Sequence, residues 1–285
     1  CIPWSVHAVM NCVYSYMKIG KNGVGAMRSM FFDVNCMIGQ RFSYENTIFK
    51  DGKALLKIMD NKGIDRALVF HSLAKENFID EGNLEVVKEA ESSERLLPCW
   101  VVMPHYSGEC RSPEEIVKAM SVANVKAVRI FPEYHRIKLY TWIWEELFSR
   151  LEAFKIPVLI DFSNIGWSQE IDWDGINNTC SSFPNLPVIL LRQGQVADRY
   201  IYYLLDRHRN LYLETSYYQV NDGIYSIVQR FGAERLIFGT GIPVFQPDCP
   251  MNALLYSGIS EKDFEKIAGK NLENLLKGVR FDDLV

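Results

Sequence analysis

Ala127-Val128-Arg129-Ile130-Phe131 and Pro157-Val158-Leu159-Ile160 are two short apolar runs, and what lies between them decides how they are read. Ile143, Trp144, Leu147, Phe148, Leu151 and Phe154 recur three and four residues apart, with Glu145, Glu146, Arg150 and Glu152 elsewhere on the turn. That period predicts an amphipathic helix with one face buried. The flanking runs do not alternate with polar residues, which is how strands covered on both faces read. The unit is therefore strand, helix, strand, in a parallel sheet.

Outward from this unit the same order repeats. Six further runs are Met30–Val34, Ala67–Phe70, Cys99–Met103, Val188–Leu191, Leu211–Leu213 and Leu236–Phe238. Each is followed by a helix-like stretch. The last stretch puts Phe264, Ile267, Ala268, Leu272, Leu275 and Leu276 on one face. It opens at Ser260 with Asp263 three residues on, like a capping box, and Gly278 stands where a C-terminal stop is expected. Eight such units in about 250 residues is the count of a (β/α)8 TIM barrel. An open doubly wound sheet is the alternative, but no Gly-x-Gly-x-x-Gly follows a first strand. Gly-x-x-x-x-Gly-Lys-Ser/Thr is also absent. With no linker or repeat in view, the expected organisation is a short N-terminal extension, residues 1–28, and one barrel over residues 29–285.

Of the 285 residues, 48% are hydrophobic and 23% charged, which excludes a disordered or fibrous chain. Lys plus Arg is 31 against 35 for Asp plus Glu, so no basic excess points to nucleic acid or an anionic membrane. Seven cysteines, at 1, 12, 36, 99, 110, 180 and 249, are widely spaced and hold no Cys-x-x-Cys. They read as reduced thiols in a cytoplasmic protein. No run of 18 apolar residues occurs. Ser5 to Met17 contains His7, Asn11 and Ser15, and reads as a terminal helix packed on the domain rather than a signal peptide. The chain opens on Cys1 rather than Met, which reads as a trimmed start.

In a barrel of this kind chemistry collects where strands meet the loops that follow them. In strand order the polar residues and their neighbours there are Asp33, Asn35 and Met37; His71; His105; Arg129, Glu133 and His135; Asp161; Arg192 and Gln193; Glu214 and Ser216; Thr240 and Gly241.

Several of these positions carry a resemblance. Phe32-Asp33-Val34-Asn35-Cys36-Met37-Ile38-Gly39 resembles the first-strand motif of the amidohydrolase superfamily, in its amidohydrolase-2 branch. Phe238-Gly239-Thr240-Gly241-Ile242-Pro243 resembles that branch's eighth-strand motif, and Leu191-Arg192-Gln193-Gly194 its sixth-strand turn. The Ser260 helix, with Ile267 and Asn271, resembles the closing segment. The likeness runs from about Phe31 to Leu276, in register with the barrel.

The departures are as informative. The resemblance implies His-x-His on the first strand, where this chain has Asn35 and Met37. It implies a histidine at the sixth-strand end, here Arg192, an aspartate in the eighth-strand motif, here Gly241, and a ligand at the fifth, here Asp161. Zinc-type sites need imidazoles and carboxylates. An arginine cannot ligate, and glycine has no side chain. The expectation is no metal at the inherited position and no cofactor.

Each candidate has two readings. Arg192 binds a substrate carboxylate or oxyanion, or it fills the emptied metal pocket and pairs with Asp161 or Glu214. Asp161 is a general base, or the neutralising partner of an arginine. Arg129 holds a substrate group or makes a structural ion pair. His71 and His105, on adjacent strands, are acid/base candidates or ordinary loop histidines; a new metal site with Asp161 is the weakest option. His135 closes over the mouth, and His208 is solvated. Asn35, Glu214 and Tyr217 are further substrate contacts; Tyr217, Trp167 and Phe245 wall a pocket or simply pack. Asp33 is structural, Met37 packs, and Cys36 points to the helices.

The leading expectation is a metal-independent amidohydrolase-related hydrolase. By resemblance it performs lactonase-like hydrolysis or isomerisation of a small, anionic, oxygenated or carboxylated molecule. A catalytically inactive barrel that binds or scaffolds is the alternative. Relatives' habits imply association through barrel helices as a homodimer.

Overall fold

Strand β1 (Phe31–Ile38) is buried along its whole length, and so it needs cover on both sides. The computed structural model describes residues 30–39, 51–76, 78–162, 171–194 and 197–281. The N-terminal extension and Trp167 lie outside them.

After β1 come α1 (Gly52–Lys62), β2 (Ile64–His71), α2 (Ser72–Lys75), α3 (Ile79–Ala90), β3 (Leu96–Pro98) and β4 (Trp100–Val101). Then follow α4 (Pro113–Val122), β5 (Val128–Ile130), α5 (Thr141–Ala153), β6 (Val158–Ile160), α6 (Trp173–Ser182), β7 (Val188–Leu190) and α7 (Asp198–Arg207). The chain continues through β8 (Leu211–Glu214), α8 (Gly223–Phe231), β9 (Leu236–Ile237), α9 (Asp248–Leu255), α10 (Glu261–Glu265) and α11 (Asn271–Gly278).

Every strand pair is parallel. Each of the eight apolar runs contains strand, and the third strand of the ring is made of two pieces, β3, which precedes the run Cys99–Met103, and β4 within it. β3 pairs with β2 and β4 with β5, and the change of neighbour falls at Cys99. The Cys99 N–H donates to Val69 O at 2.8 Å and the Trp100 N–H to Ala127 O at 3.2 Å. The last strand returns to the first: Val34 N–H donates to Phe238 O at 3.1 Å and Met37 N–H to Ile242 O at 2.9 Å. These bonds close a (β/α)8 barrel.

Alternation along the strands sorts the core into two clusters. Phe32, Leu68, Phe70, Val101, Leu159, Ile189 and Ile237 fill the ring. Val69, Val128, Ile130, Val158, Ile160 and Val188 face outward onto helix residues such as Leu55, Met59, Leu147, Phe148 and Leu151. Truncating one of these leucines to alanine costs about 2–5 kcal/mol. Met37 and Cys36 fall on opposite sides, inside and outside the ring respectively.

The closing helix differs from its reading as one continuous stretch. Between α10 and α11 lies a π-helical turn, Lys266–Lys270. The Ile267 carbonyl accepts the Phe238 N–H at 3.0 Å, so a helix acceptor is spent on the barrel and the ladder widens locally. Gly269 permits the approach, since a Cβ there would lie 2.7 Å from Met30 O. Asn271 Nδ2 then donates to Ala233 O and Leu236 O, each at 2.8 Å, and pins α11 beneath β9.

His208 also corrects its expectation. It is buried rather than solvated, and its Nε2 meets Asn177 Oδ1 at 2.9 Å. The segment into β8 tucks under α6, where Asn210 Nδ2 donates to the carbonyls of Phe183 at 2.9 Å and Leu186 at 3.0 Å. Among the described residues no helix is long and apolar enough to cross a membrane.

Candidate active site

Three inward positions at the C-terminal ends of the strands carry charge. Arg129 sits on β5 between the inward residues Ala127 and Phe131, and Asp161 follows β6 in line with inward Leu159. Glu214 ends β8. Arg192 follows β7 with φ 55°, a left-handed conformation rare for a residue with a side chain. That turn sends its backbone N–H to Glu214 Oε2 at 3.0 Å and its guanidinium the other way, to Asp161.

Asp161 bridges both arginines. Its Oδ2 accepts from Arg129 Nη2; its Oδ1 accepts from Arg192 Nη2 and, at 3.1 Å, from Arg192 Nε. All three side chains are buried. Burial alone would raise the Asp161 pKa. The charges of Arg192, Arg129 and Lys75 outweigh it and hold the carboxyl well below the usual carboxylate range. The Arg129 guanidinium lies 4.2 Å from the Phe70 ring centroid and 5.1 Å from that of Phe131. Its buried Nε has no hydrogen-bond acceptor among the described residues.

Beside this cluster is a second, carboxylate-rich network. Glu214 Oε1 accepts the Ser216 N–H at 2.6 Å, and Oε2 accepts the Ser216 hydroxyl at 2.9 Å. Asn35 Nδ2 donates onward to Ser216 Oγ at 3.4 Å. Burial pushes Glu214 up to about 7, against the lowering effect of those hydrogen bonds, and nearby Asp33 adds to the rise. Asp33 ties β1 to the last strand's loop: its Oδ1 accepts the N–H groups of Asn35 and Thr240, each at 2.9 Å. Burial raises its pKa as well.

The structure joins Arg129, Asp161 and Arg192 directly, Glu214 through the Arg192 backbone, and Asn35 through Ser216. It does not bring the two histidines to them. His71 is turned away from the ring by alternation after Phe70, and its Nδ1 accepts the Leu73 N–H at 3.2 Å, capping α2. His105 lies in the 3-10 turn His105–Ser107, with Nε2 3.8 Å from Glu146 on α5. Tyr217 is exposed and stacks on Phe245 with centroids 5.2 Å apart. His135 Nε2 meets Lys75 O at 2.9 Å.

Lys75 escaped the reading of the sequence. It is buried at the end of α2, with Nζ 5.2 Å from the Phe131 centroid and 4.8 Å from that of Tyr134. Its position just past β2 was the available signal, masked by the more familiar His71.

The positions that the resemblance gives to metal ligands do not fit a metal ion. Met37 packs in the ring, the Asn35 amide goes to Ser216, Arg192 supplies a cation and Gly241 has no side chain. Among the described residues no three His, Cys, Asp or Glu side chains converge to hold one. A divalent cation beside Asp161 would face two guanidinium groups.

Solved structures share the fold. An uncharacterised TIM-barrel protein from Bordetella bronchiseptica is 17% identical with a TM-score of 0.69, over 87% of this chain and 99% of that one. A 2,6-dihydroxybenzoate decarboxylase from Rhizobium is 13% identical with a TM-score of 0.67, over 87% and 99%. A 5-carboxyvanillate decarboxylase from Novosphingobium aromaticivorans, solved with manganese and 4-hydroxy-3-methoxy-5-nitrobenzoic acid, is 13% identical with a TM-score of 0.69, over 89% and 98%. At these identities the likeness is one of fold. No curated protein matches the sequence. The amidohydrolase family model matches residues 66–277, in register with the strands from β2 to β9 and the closing helices, and the chain belongs to the amidohydrolase family, in its amidohydrolase-2 branch.

Proposed function

We propose that this protein is an enzyme that binds a small carboxylated ring and hydrolyses a lactone-type ester in it without a metal ion. The observation that carries this reading is the buried Arg129–Asp161–Arg192 cluster, with its unmatched Arg129 Nε–H. Two guanidinium groups held by one carboxylate keep a net positive charge in a dry site. That charge suits a carboxylate and the oxyanion that forms when water adds to a ring carbonyl. Members of the fold that act on carboxylated aromatics, such as the 2,6-dihydroxybenzoate and 5-carboxyvanillate decarboxylases, support the substrate class.

Asp161 stays ionised and serves to aim the arginines, because its depressed pKa makes it a weak base. Glu214, with a pKa near 7, is the better proton carrier. It takes a proton from the attacking water through the Ser216 hydroxyl. As the ring C–O bond breaks, it returns that proton to the leaving oxygen. The product is the ring-opened hydroxy acid.

A screen of carboxylated lactones, followed by the release of acid with and without chelator, tests the reading. Turnover that survives chelation and falls at least about a hundredfold in Arg192→Met agrees with it. Turnover that depends on added metal overturns it. If no lactone turns over but carboxylated rings bind, the barrel is a binding module.

A further inference from the structure

We propose that the end of the barrel opposite the charged cluster holds a second binding site, which takes an aliphatic chain carrying a carboxylate. The proposal goes beyond the reading of the mouth and does not rest on it.

The site is a cavity of about 400 Å3 among the N-terminal halves of β1 and β2, the short strand β3 and the closing helix α11. That volume lies in the range of about 300–1,000 Å3 usual for small-molecule pockets. Its apolar lining is Phe32, Leu68, Leu97 and Leu276. The charged lining is Arg66, Glu94, Lys126, Glu273 and Lys277. Layers of apolar side chains ordinarily plug a barrel of this kind. Here alternation puts Arg66 on the inward side of β2, in line with Leu68 and Phe70. Its guanidinium lies over the Phe32 ring, 4.5 Å from the centroid, and so caps the ring rather than filling the layer.

The charges at the rim select an anion. Glu273 serves two cations, with Oε1 3.1 Å from Lys277 Nζ and 3.6 Å from Arg66 Nη1. The longer distance is an ion pair without a hydrogen bond, so the Arg66 guanidinium keeps its donors. Lys126 is half-buried and makes no ion pair or hydrogen bond among the described residues. Glu94 is exposed, and water screens it. A carboxylate at this rim therefore meets Lys126 and Arg66 as donors.

The apolar lining selects the rest of the ligand. Phe32 is the one aromatic ring among the described lining residues, and Arg66 already covers it. What remains is leucine, which suits an alkyl chain better than a flat ring. The two ends of the barrel are separate sites. Lys126 stands three residues before Arg129, roughly 10 Å along the strand direction. Ring side chains such as Leu68 and Leu159 lie between the two levels.

Calorimetric titration of the full chain with octanoate, acetate, 1-octanol and octylammonium tests this, with Lys126→Met, Arg66→Met and Arg192→Met alongside. Octanoate is expected to bind at least about tenfold more tightly than each of the other three. Lys126→Met and Arg66→Met each weaken octanoate about fivefold or more, and Arg192→Met leaves it within about twofold. Octanol or octylammonium binding as well as octanoate overturns the proposal, as does no octanoate binding at all. Undiminished binding in Lys126→Met overturns it even if Arg66→Met does not fold. Octanoate lost in Arg192→Met but kept in Lys126→Met places the anion at the mouth instead.

Discussion

Arg192 donates its backbone N–H to Glu214 Oε2 at 3.0 Å, so the residue that grips Asp161 also fixes a second buried carboxylate, whose pKa is pushed up to about 7. The link has a consequence for stability. Glu214 titrates near 7 in the folded protein, against an ordinary value of 4.5. A raised folded pKa contributes stability that is complete below the ordinary value and is lost as pH rises through about 7. The contribution is on the order of 3 kcal/mol. Urea denaturation at pH 5 and pH 8 should show the wild type losing stability with rising pH, and Glu214→Gln losing less. An equal slope in both would remove Glu214 as its source.

Asp161 behaves in the opposite sense. Its depressed pKa contributes stability above its ordinary value of 3.8, lost as pH falls through the lower folded pKa. Asp161→Asn leaves two buried guanidinium groups without their counter-charge and should cost about 3–5 kcal/mol. Arg192→Met leaves Asp161 with Arg129 and should cost less. The double variant, measured in the same denaturant series, should recover part of the loss, because it removes charge of both signs. Strict additivity would mean that the pair is not coupled.

In Glu214→Gln the amide nitrogen must face either the Ser216 N–H or the Arg192 N–H, where now an oxygen accepts. If Glu214 carries the proton, the variant loses the ionisation near neutrality from its pH–rate profile as well as most of its kcat. A profile of unchanged shape on a turned-over lactone would assign the proton transfer elsewhere.

The donor set predicts indifference to divalent ions. Manganese or zinc at about 1 mM should leave Tm unchanged, since a ligand stabilises only by binding the folded state. Elemental analysis of protein purified without a metal-binding tag should find far less than one equivalent. A full equivalent, with a raised Tm, would show that side chains rearrange to make a site around Asp161.

Gly82 and Gly278 make a matched pair. An alanine at Gly82 meets the Ala74 backbone, whereas one at Gly278 meets nothing within 4 Å. Gly82→Ala should cost about 1–3 kcal/mol by overpacking and shift α2 with its lysine. Gly278→Ala should be neutral or stabilising by a few tenths of a kcal/mol. Thermal melts of the two check this, and equal Tm changes would contradict the close approach.

The ring was legible because buried parallel strands announce themselves by apolar runs, and all eight runs contain strand. Arg129, Asp161 and Glu214 were legible as strand-end positions. The histidines misled because position at a strand end does not say which way a side chain turns: His71 comes one residue after inward Phe70 and so faces outward. Lys75 was hidden because its burial comes from how α2 folds back against Gly82 and His135, contacts far apart in sequence. The π turn at Lys266 was likewise invisible. It arises where a helix carbonyl is borrowed by Phe238, at a close approach to β1 that Gly269 permits.

The third strand has a mechanical meaning. Among the described strands β3 pairs with β2 and β4 with β5, so the ring consists of two arcs, β1 to β3 and β4 to β9, hinged at Cys99. On the larger arc, Asp161 rivets three adjacent staves together through Arg129 and Arg192. On the seam at Cys99 the stitching passes from one neighbour to the other within two residues. Under load the barrel is expected to open along that seam first, with the charged rivet among the last fastenings to give.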